Sequence, residues 1–138
     1  MAKRVRIPPQ TVSAHGYPCS ATAYGPTFES SRRGWHQHDG AGVSCTGGVG
    51  TKTATLSVQV LGPNGHRWFT VRGTPTTTGP SNGNPVRIIR TRPAVPGHEY
   101  RTVVVARLVV PNGHAGCSLT NSCNQTLTIT AISRGLAP

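Results

Sequence analysis

The stretch TATLSVQVL, residues 53–61, decides the fold class, because polar and apolar side chains alternate strictly along it. The apolar set is Ala54, Leu56, Val58 and Val60. A period of two places the two sets on opposite faces of a β-strand, so the stretch predicts a strand with one buried face. Pro63-Asn64-Gly65 then predicts a turn, and residues 66–71 are expected to return as the second strand of a hairpin.

Further short strands are predicted on both sides of this hairpin. They cover residues 19–28, 43–45, 86–92, 99–110 and 125–133. Residues 99–110 carry valines on both faces, so the middle of that strand is expected to be buried on two sides or covered by the N-terminal residues. The polar, glycine-rich residues 29–42 and the Thr/Pro/Gly-rich residues 74–85 are predicted to be loops.

The number of strands and breaks defines the expected architecture. The chain has 17 Gly and 12 Pro, which interrupt it too often for long helices. Its 138 residues suit one domain. About seven short strands separated by turns are typical of an all-β fold, here a single antiparallel two-sheet sandwich that is immunoglobulin-like in the broad sense.

The first 18 residues differ from the rest in composition. They include Lys3, Arg4 and Arg6, and Pro8-Pro9 favours an extended polyproline geometry. This segment has too few apolar side chains to fold alone. We therefore predict that residues 1–18 form an extended basic N-terminal arm and residues 19–138 form the β-sandwich domain.

The four cysteines, Cys19, Cys45, Cys117 and Cys123, predict disulfide bonds. Pairing Cys19 with Cys45 and Cys117 with Cys123 is favoured, because each bond then closes a local loop. Free thiols and a zinc site are the alternatives. The spacing argues against zinc, since Cys117 and Cys123 lie further apart than the usual zinc-knuckle pair.

Disulfides point to an oxidising compartment, yet the first nine residues lack the apolar core of a signal peptide. No run of 18 apolar residues occurs, so no membrane span is predicted. Three explanations reconcile these observations: a signal peptide that has been removed, thiols that stay reduced, or assembly into a particle that is oxidised after release.

The charge balance predicts an anionic partner. Lys and Arg number 14 against three acidic residues, for a formal net charge of +11. Residues Lys3, Arg4, Arg6, Arg32 and Arg33 are the predicted partner-binding cations. The expected partner is a larger protein assembly with an acidic surface, and a homo-oligomer stays open. Nucleic acid is less favoured, because the few aromatic residues are scattered rather than interleaved with the cations.

Catalysis is not predicted, and neither is a cofactor. Three acidic residues leave little for paired-carboxylate chemistry, and no nucleophile elbow, phosphate-binding loop or HExxH motif occurs. The segment Trp35-His36-Gln37-His38-Asp39 is the one local cluster of metal-ligand type. A solvated polar loop is the favoured interpretation, and a metal enzyme using this loop is the third functional hypothesis.

Two non-enzymatic hypotheses stand ahead of that one. In the first, the protein is a structural or accessory component of a virion surface, such as a capsid decoration protein, and docks through its basic arm. In the second, it is a secreted bacterial β-sandwich that binds a protein, glycan or envelope polymer. The first hypothesis explains how a chain whose cysteines predict disulfides can lack a predicted signal peptide.

Overall fold

A computed structural model describes residues 4–14, 19–45, 51–78, 81–82, 86–110 and 125–138. These residues form β-strands joined by turns, with no helix among them. The strands are β1 (Arg4–Arg6), β2 (Gln10–Ser13), β3 (Cys19–Ser31), β4 (Gly34–Cys45), β5 (Thr51–Leu61), β6 (Trp68–Thr70), β7 (Thr76–Thr77), β8 (Ser81–Asn82), β9 (Val86–Ala94), β10 (Tyr100–Val110) and β11 (Gln125–Ile132).

The strands make two antiparallel sheets that pack face to face. In the first sheet, β3 lies between β4 and the pair β1 and β2, and β9 forms the other edge beyond β4. In the second sheet, the order is β11-β10-β5, and β6, β7 and β8 follow one another along the free edge of β5. The predicted all-β sandwich is confirmed, and a broadly immunoglobulin-like description is compatible with it.

The alternation of β5 is confirmed in three dimensions. Ala54, Leu56 and Val58 are buried, and they face inward together with Val104 and Ala106 of β10. Small and β-branched side chains from the first sheet complete this layer, including Ala21, Ala23, Ala41 and Val43. Interdigitating small and branched residues allow two twisted sheets to approach closely.

The prediction of a loop over residues 29–42 is wrong. β3 continues to Ser31 and β4 begins at Gly34, so only Arg32 and Arg33 separate two long antiparallel strands. The central glycines of β4 fit a strand because Tyr24 packs over them, and the buried polar residues of this strand fit because they are hydrogen-bonded. Gly40 leaves space for Tyr24 of β3, because a Cβ atom there would lie 3.2 Å from the Cβ atom of Tyr24.

The N-terminal arm and the predicted 74–85 loop both line the edges of the sheets. β2 and β1 pair with residues 20–23 and 27–29 of β3, on either side of its register shift between Tyr24 and Thr27. The described part of the arm is thus extended, as expected, but it forms a sheet edge and does not cover β10. Within the predicted 74–85 loop, Thr74 is buried, and its side-chain Oγ1 accepts a hydrogen bond from the backbone N–H of Val58. Strands β7 and β8 of the same segment pair with β5.

The predicted Cys19–Cys45 disulfide is confirmed. The two residues are directly opposite each other in the register of β3 and β4, and the bond spans a sequence separation of 26. Cys19 is buried in the apolar layer between the sheets. The second predicted pair, Cys117 and Cys123, lies outside the described residues.

Candidate functional site

The outward-facing surface of the first sheet collects most of the predicted partner-binding cations, and we call it the outer basic face. Arg4 and Arg6 of β1 project onto it beside β3. Arg87 of β9 projects onto it from the opposite edge, in register with Gly42 of β4. Period-two alternation explains this arrangement, because the residues between these cations point into the core.

Arg32 and Arg33 lie at one end of the same face. They form the exposed tip of the β3–β4 turn, three and four residues beyond Glu29, which is opposite Arg4. Arg6 is exposed as well. The fold therefore brings four of the five predicted cations to one face and its end, while Lys3 lies outside the described residues.

Glu29 is the acidic residue of this face, and its carboxylate is already paired with neighbouring side chains. The side chain of Arg4 donates to Glu29 Oε1, and His38 Nε2 lies 3.6 Å from Glu29 Oε2. The hydrogen bond from Arg4 and the charge of its guanidinium lower the pKa of the Glu29 carboxyl. Because Arg4 is engaged in this way, Arg6, Arg32, Arg33 and Arg87 are the cations of this face that can meet an anionic partner.

A groove of about 470 Å³ crosses the middle of the outer basic face. Its two walls are Tyr24 of β3 and Ile89 of β9, which are 41% and 73% exposed. Gly40 of β4 is in register with both residues and forms the floor between them. The backbones of Tyr24 and Ile89 are therefore two strand spacings apart, about 10 Å in all, and the ring of Tyr24 leans over Gly40 and Gly42 of the strand between them.

Cations flank this groove along the strand direction. Arg87 precedes Ile89 by two residues on the same face of β9. At the other end, His38 Nδ1 lies 2.9 Å from Thr91 Oγ1, and Arg6 is opposite Thr27, the β3 partner of His38. The groove is therefore an apolar slot with an arginine beyond each end, Arg87 at one and Arg6 at the other.

Sequence reasoning missed the two walls of the groove. Tyr24 was one of several scattered aromatic residues, and Ile89 was a break in the alternation of its strand. The consecutive isoleucines at 88 and 89 were nevertheless a usable signal. Because neighbouring residues of a strand point to opposite faces, one of the two lies on the outer face of a sandwich, where it is either covered or exposed.

The candidate metal ligands His36, His38 and Asp39, an alternative to the favoured polar loop, do not lie on one face of β4. His36 and His38 lie on the outer basic face, whereas Asp39 points between the sheets and is 2% exposed. Strand alternation separates the carboxylate from both imidazoles. Within the described part of the chain, no group of three or more His, Cys, Asp or Glu side chains is arranged to hold a metal ion.

Asp39 instead belongs to a polar layer inside the sandwich. Thr102 Oγ1 of β10 donates to Asp39 Oδ1 over 2.7 Å, and Gln37 Nε2 donates to the same oxygen over 3.0 Å. The backbone N–H of Thr102 donates to Ser133 Oγ over 2.8 Å. This layer joins the two sheets and separates the main apolar cluster from a second one around Phe28 and Tyr100.

The polar layer leaves three buried atoms without a hydrogen-bond partner among the described residues. They are Gln37 Oε1, Asp39 Oδ2 and Arg92 Nε. Arg92 is opposite Gln37 in the register of β9 and β4, so the three side chains are neighbours on the inner face. Burial raises the pKa of the Asp39 carboxyl, although the hydrogen bonds and the charge of Arg92 partly oppose this shift.

The outer face of the second sheet has a different chemistry. Threonines dominate it, and Thr55 Oγ1 lies 2.8 Å from Thr77 Oγ1. Arg101 is engaged there, with its guanidinium 4.3 Å from the centre of the Trp68 ring and its Nε donating to Gln59 over 2.7 Å. Burial lowers the pKa of Arg101. This face therefore offers fewer free cations to a partner than the outer basic face.

Comparisons with known proteins return no relative: no family model, no curated protein and no solved structure matches the chain significantly. Among the described residues, no helix has the length and apolar character needed to cross a membrane.

Proposed function

We propose that this protein is a non-enzymatic accessory component of a larger assembly and docks on it through the outer basic face. A virion surface is the assembly that we favour, with the protein acting as a capsid decoration or minor structural protein. One observation carries the proposal: Arg6, Arg32, Arg33 and Arg87 are exposed on one face or its end, and the only acid beside them is already paired with Arg4.

Electrostatics and rigidity support this role. Unpaired guanidinium groups attract carboxylate-rich surfaces and can form bidentate contacts with them. The face that carries them is rigid, because the disulfide ties β3 to β4 and the polar layer ties the first sheet to the second. A rigid face loses little conformational entropy when it docks on a partner.

The experiment uses particles purified from the source of the protein and stripped of this chain by high salt. The purified protein is added back and its co-sedimentation is measured, together with the triple variant R6A/R32A/R33A. These three residues are exposed, so the variant is expected to fold. The wild type is expected to sediment with the particles, more weakly as salt increases, and the variant is expected to lose at least tenfold in affinity.

A matched control removes charge from the other sheet. R107A lies on the outer face of the second sheet, is exposed, and lowers the net charge without touching the outer basic face. It is expected to bind like the wild type after correction for the loss of one charge. An equal loss per charge removed in both variants would show that net charge alone acts, and this result would contradict docking through one face.

The disulfide favours a second candidate function, a secreted β-sandwich that binds a protein, glycan or envelope polymer. Cys19 and Cys45 are bonded, and stable disulfides are typical of oxidising compartments. Recovery of the free protein from the culture medium, with no particle attached, would favour this candidate.

A further inference from the structure

We propose that the groove between Tyr24 and Ile89 is the contact site for an extended acidic segment of the partner, with one large apolar side chain flanked by carboxylates. The inference rests on the proposed docking function and specifies which residues recognise the partner. The groove is lined by residues of three adjacent strands, β3, β4 and β9, so its shape is set by the sheet itself.

The width of the groove determines the size of the apolar group. Gly40 provides no side chain between the two walls, and the ring of Tyr24 also covers Gly42, where a Cβ atom would lie 3.1 Å from Tyr24 Cε2. Ile89 is 73% exposed on the opposite wall. The space that remains between the Tyr24 ring and Ile89 takes one apolar side chain of leucine, isoleucine or phenylalanine size, and its burial removes apolar surface on both partners from water.

The spacing of the cations determines what flanks that apolar group. Residues two apart on a strand are separated by about 6.8 Å and point to the same face. Arg87 lies one such step from Ile89 in one direction, and Thr91, which lies beside His38, is one step away in the other. An extended segment running along β4 therefore meets these positions with its residues at i−2, i and i+2.

The matching sequence pattern is acid-x-apolar-x-acid. The apolar residue enters the slot, one carboxylate reaches Arg87, and the other reaches the opposite end of the groove, where Arg6 lies. A peptide is favoured over a nucleic acid, because one wall is aliphatic and the ring of Tyr24 lies against the glycines of β4. Single-stranded nucleic acids are bound instead on exposed aromatic platforms.

The test uses a synthetic peptide with the core Glu-Ser-Leu-Ser-Glu, capped at both ends, and measures binding by calorimetry and by amide shifts in two-dimensional NMR. Shift changes are expected around residues 24, 40, 87 and 89. I89S is expected to weaken binding about tenfold, because the slot loses an apolar wall. I132S is the control, since it makes the same substitution at an isoleucine that is 41% exposed on the other sheet, away from the groove.

Two further comparisons separate the parts of the motif. R87Q should weaken binding and reduce its dependence on salt, and a peptide with Ser in place of Leu should bind at least tenfold more weakly. Equal binding by the wild type and I89S would overturn the groove assignment, as would stronger binding of a single-stranded oligonucleotide at the same residues.

The particle assay distinguishes failure of the groove from failure of the proposed function. If R6A/R32A/R33A loses docking on particles but I89S docks normally, the docking face stands and the groove is not its recognition site. If neither variant changes docking, both proposals fail. Loss of docking in I89S with normal docking in I132S supports both.

Discussion

Removing the Cys19–Cys45 disulfide with the double variant C19A/C45A is expected to destabilise the protein strongly. The bond spans a sequence separation of 26, and the loop-entropy relation gives about 3.5 kcal/mol for a loop of this length. Alanine keeps the small volume that the buried Cys19 position requires, so the lost cross-link dominates the change. For a chain of this size, a loss of this magnitude lowers Tm by about 10 °C.

The assay is urea unfolding followed by tryptophan fluorescence, compared with the wild type and with S20A/S44A. The control removes a side-chain contact of 3.4 Å between the same two strands, one residue further along, without breaking a covalent bond. We expect the control to change stability by no more than about 0.5 kcal/mol. A loss below about 1 kcal/mol in C19A/C45A would refute the view that this bond restricts the unfolded chain.

Four other predictions concern the polar layer and the outer basic face. Burial raises the folded-state pKa of Asp39, so its contribution to stability is present at low pH and is lost as pH rises through that pKa. In urea unfolding, the wild type should therefore gain stability relative to D39N as the medium is acidified from pH 7, and the opposite trend would contradict this sign. D39A leaves the buried donors of Thr102 and Gln37 unsatisfied and should cost about 1–3 kcal/mol for each donor. A high-resolution crystal structure is expected to show a water molecule that accepts from Arg92 Nε and donates to Gln37 Oε1 and Asp39 Oδ2, whereas a direct Arg92–Asp39 bond would contradict it. Arg4 lowers the pKa of Glu29, so stability from this pair is present above the ordinary Glu value and is lost as pH falls through the lowered pKa. R4Q should raise the Glu29 titration midpoint in an NMR titration of its carboxyl carbon, and an unchanged midpoint would be inconsistent with the pair.

Sequence reasoning predicted the parts of the fold in which burial and local spacing alone determine which residue types occur. β5 alternates because every second residue packs against the first sheet, and Cys19 and Cys45 close a local loop. Arg4, Arg6, Arg32 and Arg33 are exposed, and their role in binding a partner stays a prediction. These features follow from composition and local spacing.

β4 could not be predicted because its interior positions are polar. Gln37 and Asp39 are buried through hydrogen bonds to each other and to Thr102, a residue 63 positions away from Asp39. Gly40 and Gly42 lack the usual strand propensity, but they are required where Tyr24 crosses the sheet. Long-range contacts of this kind decide the structure and leave no local signal, and the same glycines conceal the groove.

The edge strands were missed for a related reason. β1, β2, β7 and β8 are each four residues or shorter, and they pair with a longer strand that provides the register. Proline, threonine and glycine are tolerated at such edges, where one side of the backbone needs no partner. From the sequence, a paired edge and a loop look the same.

Density-gradient fractionation of a culture that produces the protein tests the docking function most directly, with the chain detected by mass spectrometry in each fraction at low and high salt. The outer basic face predicts that the protein sediments with a large particle at low salt and is released as salt increases. Recovery of the chain at low salt only as a free protein of about its own mass of 14.5 kDa would contradict docking on a larger assembly.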